Sequence, residues 1–356
     1  LVEKKRILTI NPGAASTKFA VFLDEEPVLK RTVEHTSADL EAFERVFDQY
    51  AYRLDIILKE LADANIEINS LDAVVGRGGL VKPIAGGTYI VNEAMLKDLR
   101  EARRGEHASN LGAAIAHGIA ARLNIPAYIV DPVAVDEMDP AAKISGLPDI
   151  ERTSLSHALN MKAVAHKVAR KMGKQYKDMN FVVAHLGSGV SVAPHKNGRM
   201  IDVNNAIEEG PFAPDRCGGL PATQLMNLCY SGKYTHQEMK EKLMTKGGLY
   251  AYLGTKDIRE VEKMAAEGHE KAGLLLSALS YQISKEIGAM SAVLEGQVDS
   301  IIITGGMAHS KRITDEIIRR VKFIAPVVLE PGEEELESLA MGALRVLKKE
   351  EKAKEY

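Results

Sequence analysis

Three short apolar stretches run directly into glycine: Arg6 to Ile10 into Asn11-Pro12-Gly13, Phe181 to Ala184 into His185-Leu186-Gly187-Ser188-Gly189, and Ile301 to Thr304 into Gly305-Gly306. A turn without Cβ atoms lets backbone N–H groups converge on an anion, so three such turns point to a nucleotide held from several sides. Two arginines sit in comparable settings. Arg77 lies in Val74-Val75-Gly76-Arg77-Gly78-Gly79 and Arg216 in Asp215-Arg216-Cys217-Gly218-Gly219, where a guanidinium fork can reach carboxylate or phosphoryl oxygens. The sequence has no G-x-x-x-x-G-K-[ST], and Gly187-Ser188-Gly189 continues Val-Ser-Val instead of completing G-x-G-x-x-G. The phosphates must therefore be met by hairpin tips rather than by a helix end.

The elements that carry these turns repeat. The first half reads strand (6–10), turn, strand (17–22), extended piece (27–33), then one long helix over 37–64 with Leu40, Phe43, Phe47, Tyr50, Leu54, Ile57, Leu58 and Leu61 at near-3.6 spacing. Strands at 73–75 and 128–130 alternate with helices near 93–103 and 109–123. The second half repeats the order with strands at 181–184, 190–193 and 200–203, a helix over 270–295 and a strand at 301–304. The expectation is an α/β chain of two domains, each a mixed sheet with helices on its faces in βββαβαβα order, with a ligand cleft between them. The domains are expected at 1–150 plus 333–356 and at 151–332. The charged residues 352–356 read as a solvated tail.

Composition limits the partners. With 46% apolar and 27% charged residues, 356 residues suffice for two cores, and a net charge of −3 offers no basic surface for nucleic acid or an anionic membrane. Cys217 and Cys229 form no zinc or disulfide spacing, and no apolar run approaches ~18 residues, so a cytoplasmic protein acting on small molecules is expected.

Asn11-Pro12-Gly13-Ala14-Ala15-Ser16-Thr17-Lys18, the run Gly105 to Gly112, His185 to Gly189, Glu209-Gly210-Pro211-Phe212, Tyr252 to Asp257 and Pro331-Gly332-Glu333 resemble the butyrate kinase branch of the acetate kinase family, along nearly the whole chain. The resemblance implies the duplicated actin/hexokinase/acetate-kinase-like fold, and reversible transfer of the ATP γ-phosphoryl group, with Mg2+, to butyrate or a branched short-chain acid. It implies a homodimer or a larger assembly of dimers. By position it implies phosphate and magnesium contacts for Asn11, Ser16 and Lys18, catalytic roles for Arg77 and Arg216, and a place for Asp131 near the metal and the attacking carboxylate. His107 falls on the substrate side, His185, Gly187, Ser188 and Gly189 in the second phosphate loop, Gly305 and Gly306 in the adenosine turn of bound ATP or ADP, and Glu334 in the metal shell. Acetate kinases carry a histidine beside the transferring group where this chain reads Arg152-Thr153-Ser154-Leu155-Ser156-His157, so Arg152 is expected to replace it. Gly78, Thr153 and Ser154 stand where acetate kinases have bulkier residues, which implies a roomier acyl pocket.

The residues suit that chemistry. A carboxylate is ionised at pH 7 and needs no general base; the obstacle is repulsion, roughly 4 kcal/mol per pair of like charges at ~4 Å and an effective dielectric of ~20. Cationic clamps are what the reaction requires. Two other classes stay open: a sugar or polyol kinase, in which Asp131 would be a general base, and an ATPase switch with no small acceptor. The lack of tryptophan and 5% aromatic content disfavour a carbohydrate platform. An acetate or propionate kinase is the nearest alternative within the family.

Overall fold

The structure, a computed structural model, describes residues 3–356. The chain divides into two compact units, Leu1–Val135 with Glu334–Tyr356, and Asp136–Glu333. The first boundary falls ahead of position 150 for a physical reason. Residues through Val135 are tied to the first unit by an Ile84–Val135 bridge, whereas Asp139 already donates its backbone N–H to Ile201 O at 2.8 Å and Glu137 pairs with Lys162 at 2.8 Å.

In the first unit β1 (Arg6–Pro12), β2 (Ser16–Leu23), β3 (Glu26–Glu34), β4 (Ala73–Arg77), β5 (Thr88–Ile90) and β6 (Ala127–Val130) form one sheet in the order β3-β2-β1-β4-β6-β5. β1, β4 and β6 are parallel, and β2, β3 and β5 pair antiparallel with their neighbours. Alternation along β2 decides which helices cover which face. Phe19 and Val21 pack with Leu54, Ile57 and Leu61 of helix Tyr50–Asp63 and with Leu111 and Ile115 of helix Asn110–Leu123, while Ala20 and Phe22 pack with Ala340 of helix Glu335–Leu347.

In the second unit β7 (Asn180–Leu186), β8 (Val190–Lys196), β9 (Arg199–Met200), β10 (Ser300–Gly305) and β11 (Val327–Pro331) follow the order β11-β10-β7-β8-β9. This is the β3-β2-β1-β4-β6 pattern again, with an antiparallel hairpin followed by two parallel strands. Leu276, Leu279, Ile283 and Ile287 of helix Glu270–Val293 and Ile313 and Ile317 of helix Lys311–Val321 close its core over Val182, Ala184, Ile301 and Ile303.

Three local expectations are corrected. The helix expected over 37–64 is broken into Ser37–Leu40, a 3-10 turn Val46–Gln49 and Tyr50–Asp63, because Thr36 with Asp39 caps the first piece and the Asp48 carboxylate takes the Arg45 N–H to start a second N-terminus. The strand near 200–203 stops at Met200, since Asn204 Oδ1 takes the Val192 N–H at 2.6 Å that a continuing ladder would use. Residues 352–356 are not a free tail. Lys354 N–H donates to Thr88 O at 2.8 Å, Ile90 N–H donates to Lys354 O at 2.9 Å, and the Tyr356 hydroxyl donates to Asp98 at 2.7 Å, its pKa pushed up to about 12 chiefly by burial. Among the described residues no helix is long and apolar enough to cross a membrane.

Two buried histidines set an acid limit to stability. Burial, then the Arg53 charge, lowers the pKa of His35, and burial, then Lys162, places His195 well below its ordinary 6.5. With folded pKa values under the unfolded one, the unfolded chain binds protons first as pH falls. The stabilisation is therefore present above about pH 6.5 and is lost as pH falls below it toward the folded-state values. Urea unfolding should show little histidine-linked change between about pH 8 and 7 and a falling midpoint between about 6 and 5; a midpoint that holds steady over the lower interval would contradict it.

Candidate active site

The three glycine turns and Arg77 lie at the carboxyl ends of parallel strands, where ligands of α/β sheets bind, and Arg216 comes from the loop after β9 to lie against the β7–β8 tip. In the first unit these are the ends of β1, β4 and β6. Asn11 and Pro12 close β1, and Gly13 N–H donates to Ser16 O at 2.7 Å to make the hairpin tip. Lys18 stands opposite Asn11 in the β1–β2 register, so the two share a face, and Lys18 is exposed.

Arg77 ends β4. Its Nη1 pairs with Glu335 Oε1, and the other oxygen of that carboxylate accepts from Asn11 Nδ2, so one glutamate orients both residues. The surrounding glycines are demanded by packing. A Cβ on Gly76 would lie 2.0 Å from Gly112 O, one on Gly79 2.3 Å from Asn110 Oδ1, and one on Gly78 2.6 Å from Pro132 Cβ. The start of helix Asn110–Leu123 is thus pressed against the strand end that presents Arg77. Gly78 fills a contact with Pro132, and its small size is not acyl space.

His107 lies near enough for the Arg77 charge to matter: loss of solvent around the ring, then Arg77, lowers its pKa. Its Nδ1 accepts from the Ser109 backbone N–H at 3.2 Å, which leaves the ring proton of the neutral form on Nε2. Asp131 follows β6, one residue beyond the Arg77–Val130 pair, and is 4% exposed. It accepts the Gly87 N–H on Oδ1 at 2.6 Å and holds φ at 38°, a left-handed backbone that a non-glycine residue adopts at a cost of about 1 kcal/mol or more.

In the second unit the corresponding candidate residues lie at the ends of β7, β10 and β11. Gly187 N–H donates to Gly189 O at 3.0 Å to form the β7–β8 tip, and Ser188 is exposed at its apex. His185 is fully buried beneath it, with Nδ1 2.8 Å from Asn160 Oδ1, Nε2 2.9 Å from Glu333 Oε1, and its ring stacked on His157 at 3.9 Å. Arg216 donates to Ala206 O at 3.1 Å, and burial lowers its pKa. A Cβ at Gly189 would come 2.3 Å from Arg216 Nη1, so this glycine lets the guanidinium lie against the phosphate-loop backbone.

A Gly189→Ala substitution is therefore expected to fold, because the severe contact is with a flexible side-chain end and the backbone at Ala206 O, 3.3 Å away, need give only slightly, but to lose about tenfold or more in kcat as the guanidinium is displaced. Melting temperature and turnover measured on one preparation check this, and unchanged turnover would contradict it.

Gly305 needs its glycine twice over, with φ at 88° and a Cβ position 2.5 Å from Leu186 O. At Gly306 a Cβ would meet nothing within 4 Å, so packing within the chain does not explain that glycine.

Two expectations fail. All five N–H donors of Arg152 are used inside its unit, by Glu209, Asp202, Ala142 O and Val203 O. It clamps the 202–209 loop and has no donor left for a phosphoryl oxygen, so it does not replace the missing histidine. Glu334 is largely exposed and pairs with Lys30 at 3.3 Å, whereas Glu333 reaches His185 and Glu335 reaches Arg77 and Asn11. Of the three glutamates, Glu335 is the one bonded to Arg77 and Asn11.

Sequence reasoning left open which of Glu333, Glu334 and Glu335 lies at the site, and it missed Asn160 and Arg53. Only Arg53 carried a local signal, as a charged residue inside the apolar stripe of Leu54, Ile57 and Leu61. Among the described residues no three His, Cys, Asp or Glu side chains cluster to hold a metal by themselves. The donors near Arg77 are hard oxygens, from Asp131, Glu335 and Asn11, which suit Mg2+ bound through one or two carboxylates with phosphate oxygens and water completing its shell.

Comparison with known proteins fits this layout. Residues 152–351 match the profile of the acetokinase family. Butyrate kinases 2 and 1 of Clostridium acetobutylicum are each 52% identical, over 354 and 352 residues and 99% of both chains. The crystal structure of Porphyromonas gingivalis acetate kinase superposes with a TM-score of 0.80 at 19% identity, covering 98% of this chain and 100% of that one.

Proposed function

Since this chain belongs to the acetokinase family, we propose that it catalyses reversible transfer of the ATP γ-phosphoryl group to a short-chain carboxylate, butyrate or a branched analogue, giving an acyl phosphate. Full-length identity to butyrate kinases carries the reading. Arg77 neutralises the acceptor carboxylate, which then presents its oxygen without needing a base. Glu335 orients the Arg77 fork through one carboxylate oxygen. His107 supports the acceptor through Nε2–H. Arg216, held against Gly189, stabilises charge on the equatorial oxygens of the transferring group. Asn11, Ser16 and Lys18 with the β1–β2 tip, and Gly187, Ser188 and Gly189 above His185, hold phosphates, and Gly305 with Gly306 lies along the adenosine. Mg2+ bound at Asp131 and Glu335 would offset phosphate charge. A hydroxyl kinase would need Asp131 as a base, whereas the full-length likeness to butyrate kinases favours a carboxylate acceptor, which needs none.

Turnover measured on acids from acetate to hexanoate tests the acceptor. The expected optimum is butyrate or a branched acid of similar size, and an optimum at acetate would overturn that part.

The proposal includes a cytoplasmic homo-oligomer. Helix Ala222–Cys229 has no buried residue, and Leu220, Met226 and Tyr230 around it are 43, 52 and 88% exposed. Met226→Glu is expected to shift light-scattering mass to the monomer; an unchanged mass would remove this face from the interface.

A further inference from the structure

Arg53, on helix Tyr50–Asp63, has no solvent exposure and lies directly behind the β1–β2 tip. Its Nη1 donates to Gly13 O at 3.0 Å, Ser16 O at 2.9 Å and Thr17 Oγ1 at 3.0 Å. Its Nη2 donates to Ala14 O at 3.3 Å and Gln49 Oε1 at 2.8 Å, and Nε donates to Gln49 Oε1 at 3.0 Å. Every one of these acceptors is neutral. The next shell adds no counter-charge. Thr17 Oγ1 lies 2.8 Å from His35 Nε2, Tyr52 Oη lies 3.3 Å from His35 Nδ1, and His35 is kept neutral by burial and by Arg53 itself. The acids that act on His35, Asp39 and Glu34, are exposed to solvent, and neither accepts a bond from Arg53.

A buried guanidinium is ordinarily paired with a carboxylate, because an uncompensated charge in a low-dielectric interior is costly. This one is bonded instead to the carbonyls of the very loop whose outer side the proposed function gives to phosphate. Two consequences follow from the geometry. The guanidinium draws the carbonyls of Gly13, Ala14 and Ser16 to the protein side, fixing the tip. Its charge also acts outward through one layer of backbone, a distance short enough for it to be felt by an anion on the outer side of the tip.

We propose that Arg53 is a positioning residue for the first phosphate loop, and that its unpaired charge is an electrostatic component of phosphate binding there, with the ligand anion serving as its counter-ion. The inference rests on the assignment of this hairpin to phosphate and is independent of which acid accepts the phosphoryl group.

The discriminating variant is Gln49→Glu. It keeps the size and the acceptor geometry at Nε and Nη2 but places a carboxylate on the guanidinium. A merely structural Arg53 would be held as well or better. A charge-supplying Arg53 would be neutralised. Titration calorimetry with ADP and, separately, with inorganic pyrophosphate is expected to show binding about tenfold weaker in Gln49→Glu, with the thermal midpoint equal to or above the parent's. KM for ATP should rise with a smaller change in kcat. Affinity within twofold of the parent, in a folded variant, would overturn the proposal. Should Gln49→Glu not fold, Arg53→Lys and Arg53→Gln read the same quantity, since both lose the fork and only lysine keeps the charge. Lysine should bind pyrophosphate several-fold tighter than glutamine, and equal affinities would refute the charge. A parent that binds pyrophosphate but phosphorylates no acid would refute the proposed function and leave this inference standing.

Discussion

Arg77→Ala and Arg216→Ala are each expected to lower kcat by about 10² to 10³, with kcat/KM falling at least as far and the fold preserved. The size follows from the reaction. A carboxylate approaching a phosphoryl group meets roughly 4 kcal/mol of repulsion per pair of unit charges at ~4 Å and an effective dielectric of ~20, and a single guanidinium that offsets most of one pair is worth two to three decades of rate. The settings of the two arginines differ, and so should the details. Arg77 shares Glu335 with Asn11, so its removal also frees a partly buried carboxylate at the site, and KM for the acid should rise. Arg216 donates to a neutral carbonyl, Ala206 O, and lies against Gly189, so its loss should appear chiefly in kcat. Lysine should restore little at either position, because a point charge does not reproduce the fork. Steady-state kinetics with both substrates varied checks this; a loss under tenfold in either alanine variant would take that arginine out of the transition state.

Gly76→Ala is expected to be the most destabilising single methyl in the first unit, by at least ~3 kcal/mol, with Tm lower by roughly 6 to 12 °C. The added Cβ would sit 2.0 Å from Gly112 O and 2.2 Å from Gly112 C, backbone atoms of a helix that cannot rotate away. β4 and helix Asn110–Leu123 would have to part, opening the core around Leu111 and Ile115 and moving Arg77. Gly306→Ala is the control, since its methyl would meet nothing within 4 Å. Calorimetric melting of the pair should give a large drop for the first and almost none for the second. Equal midpoints would mean that the β4–helix approach is looser than described.

The contrast between these glycines explains what the sequence could and could not disclose. Strand-to-glycine junctions are local, and all three fall at strand ends as expected. The duplicated strand order was legible for the same reason, since apolar runs and turns repeat along the chain. The meaning of the glycines beside Arg77 was not legible. Gly78 was read as room for an acyl group, and Gly76, Gly78 and Gly79 are instead contacts with Gly112, Pro132 and Asn110, settled by tertiary packing. Arg152 was misread because the groups that consume its donors, Asp202 and Glu209, lie some fifty residues further on. The helix over 37–64 was misjoined because its apolar spacing runs through two caps that only side-chain bonds reveal. Of three consecutive glutamates, periodicity could not say which faced Arg77; the turn that starts helix Glu335–Leu347 decides it.

The central claim is that the acceptor oxygen belongs to a carboxylate, and the product's reactivity tests it most directly. With ATP, Mg2+ and butyrate in the presence of hydroxylamine, butyryl hydroxamate is expected to form in a one-to-one ratio with ADP, because an acyl phosphate is trapped by hydroxylamine and a phosphate ester is not. ADP released without hydroxamate, or a phosphate product stable to hydroxylamine, would contradict the account.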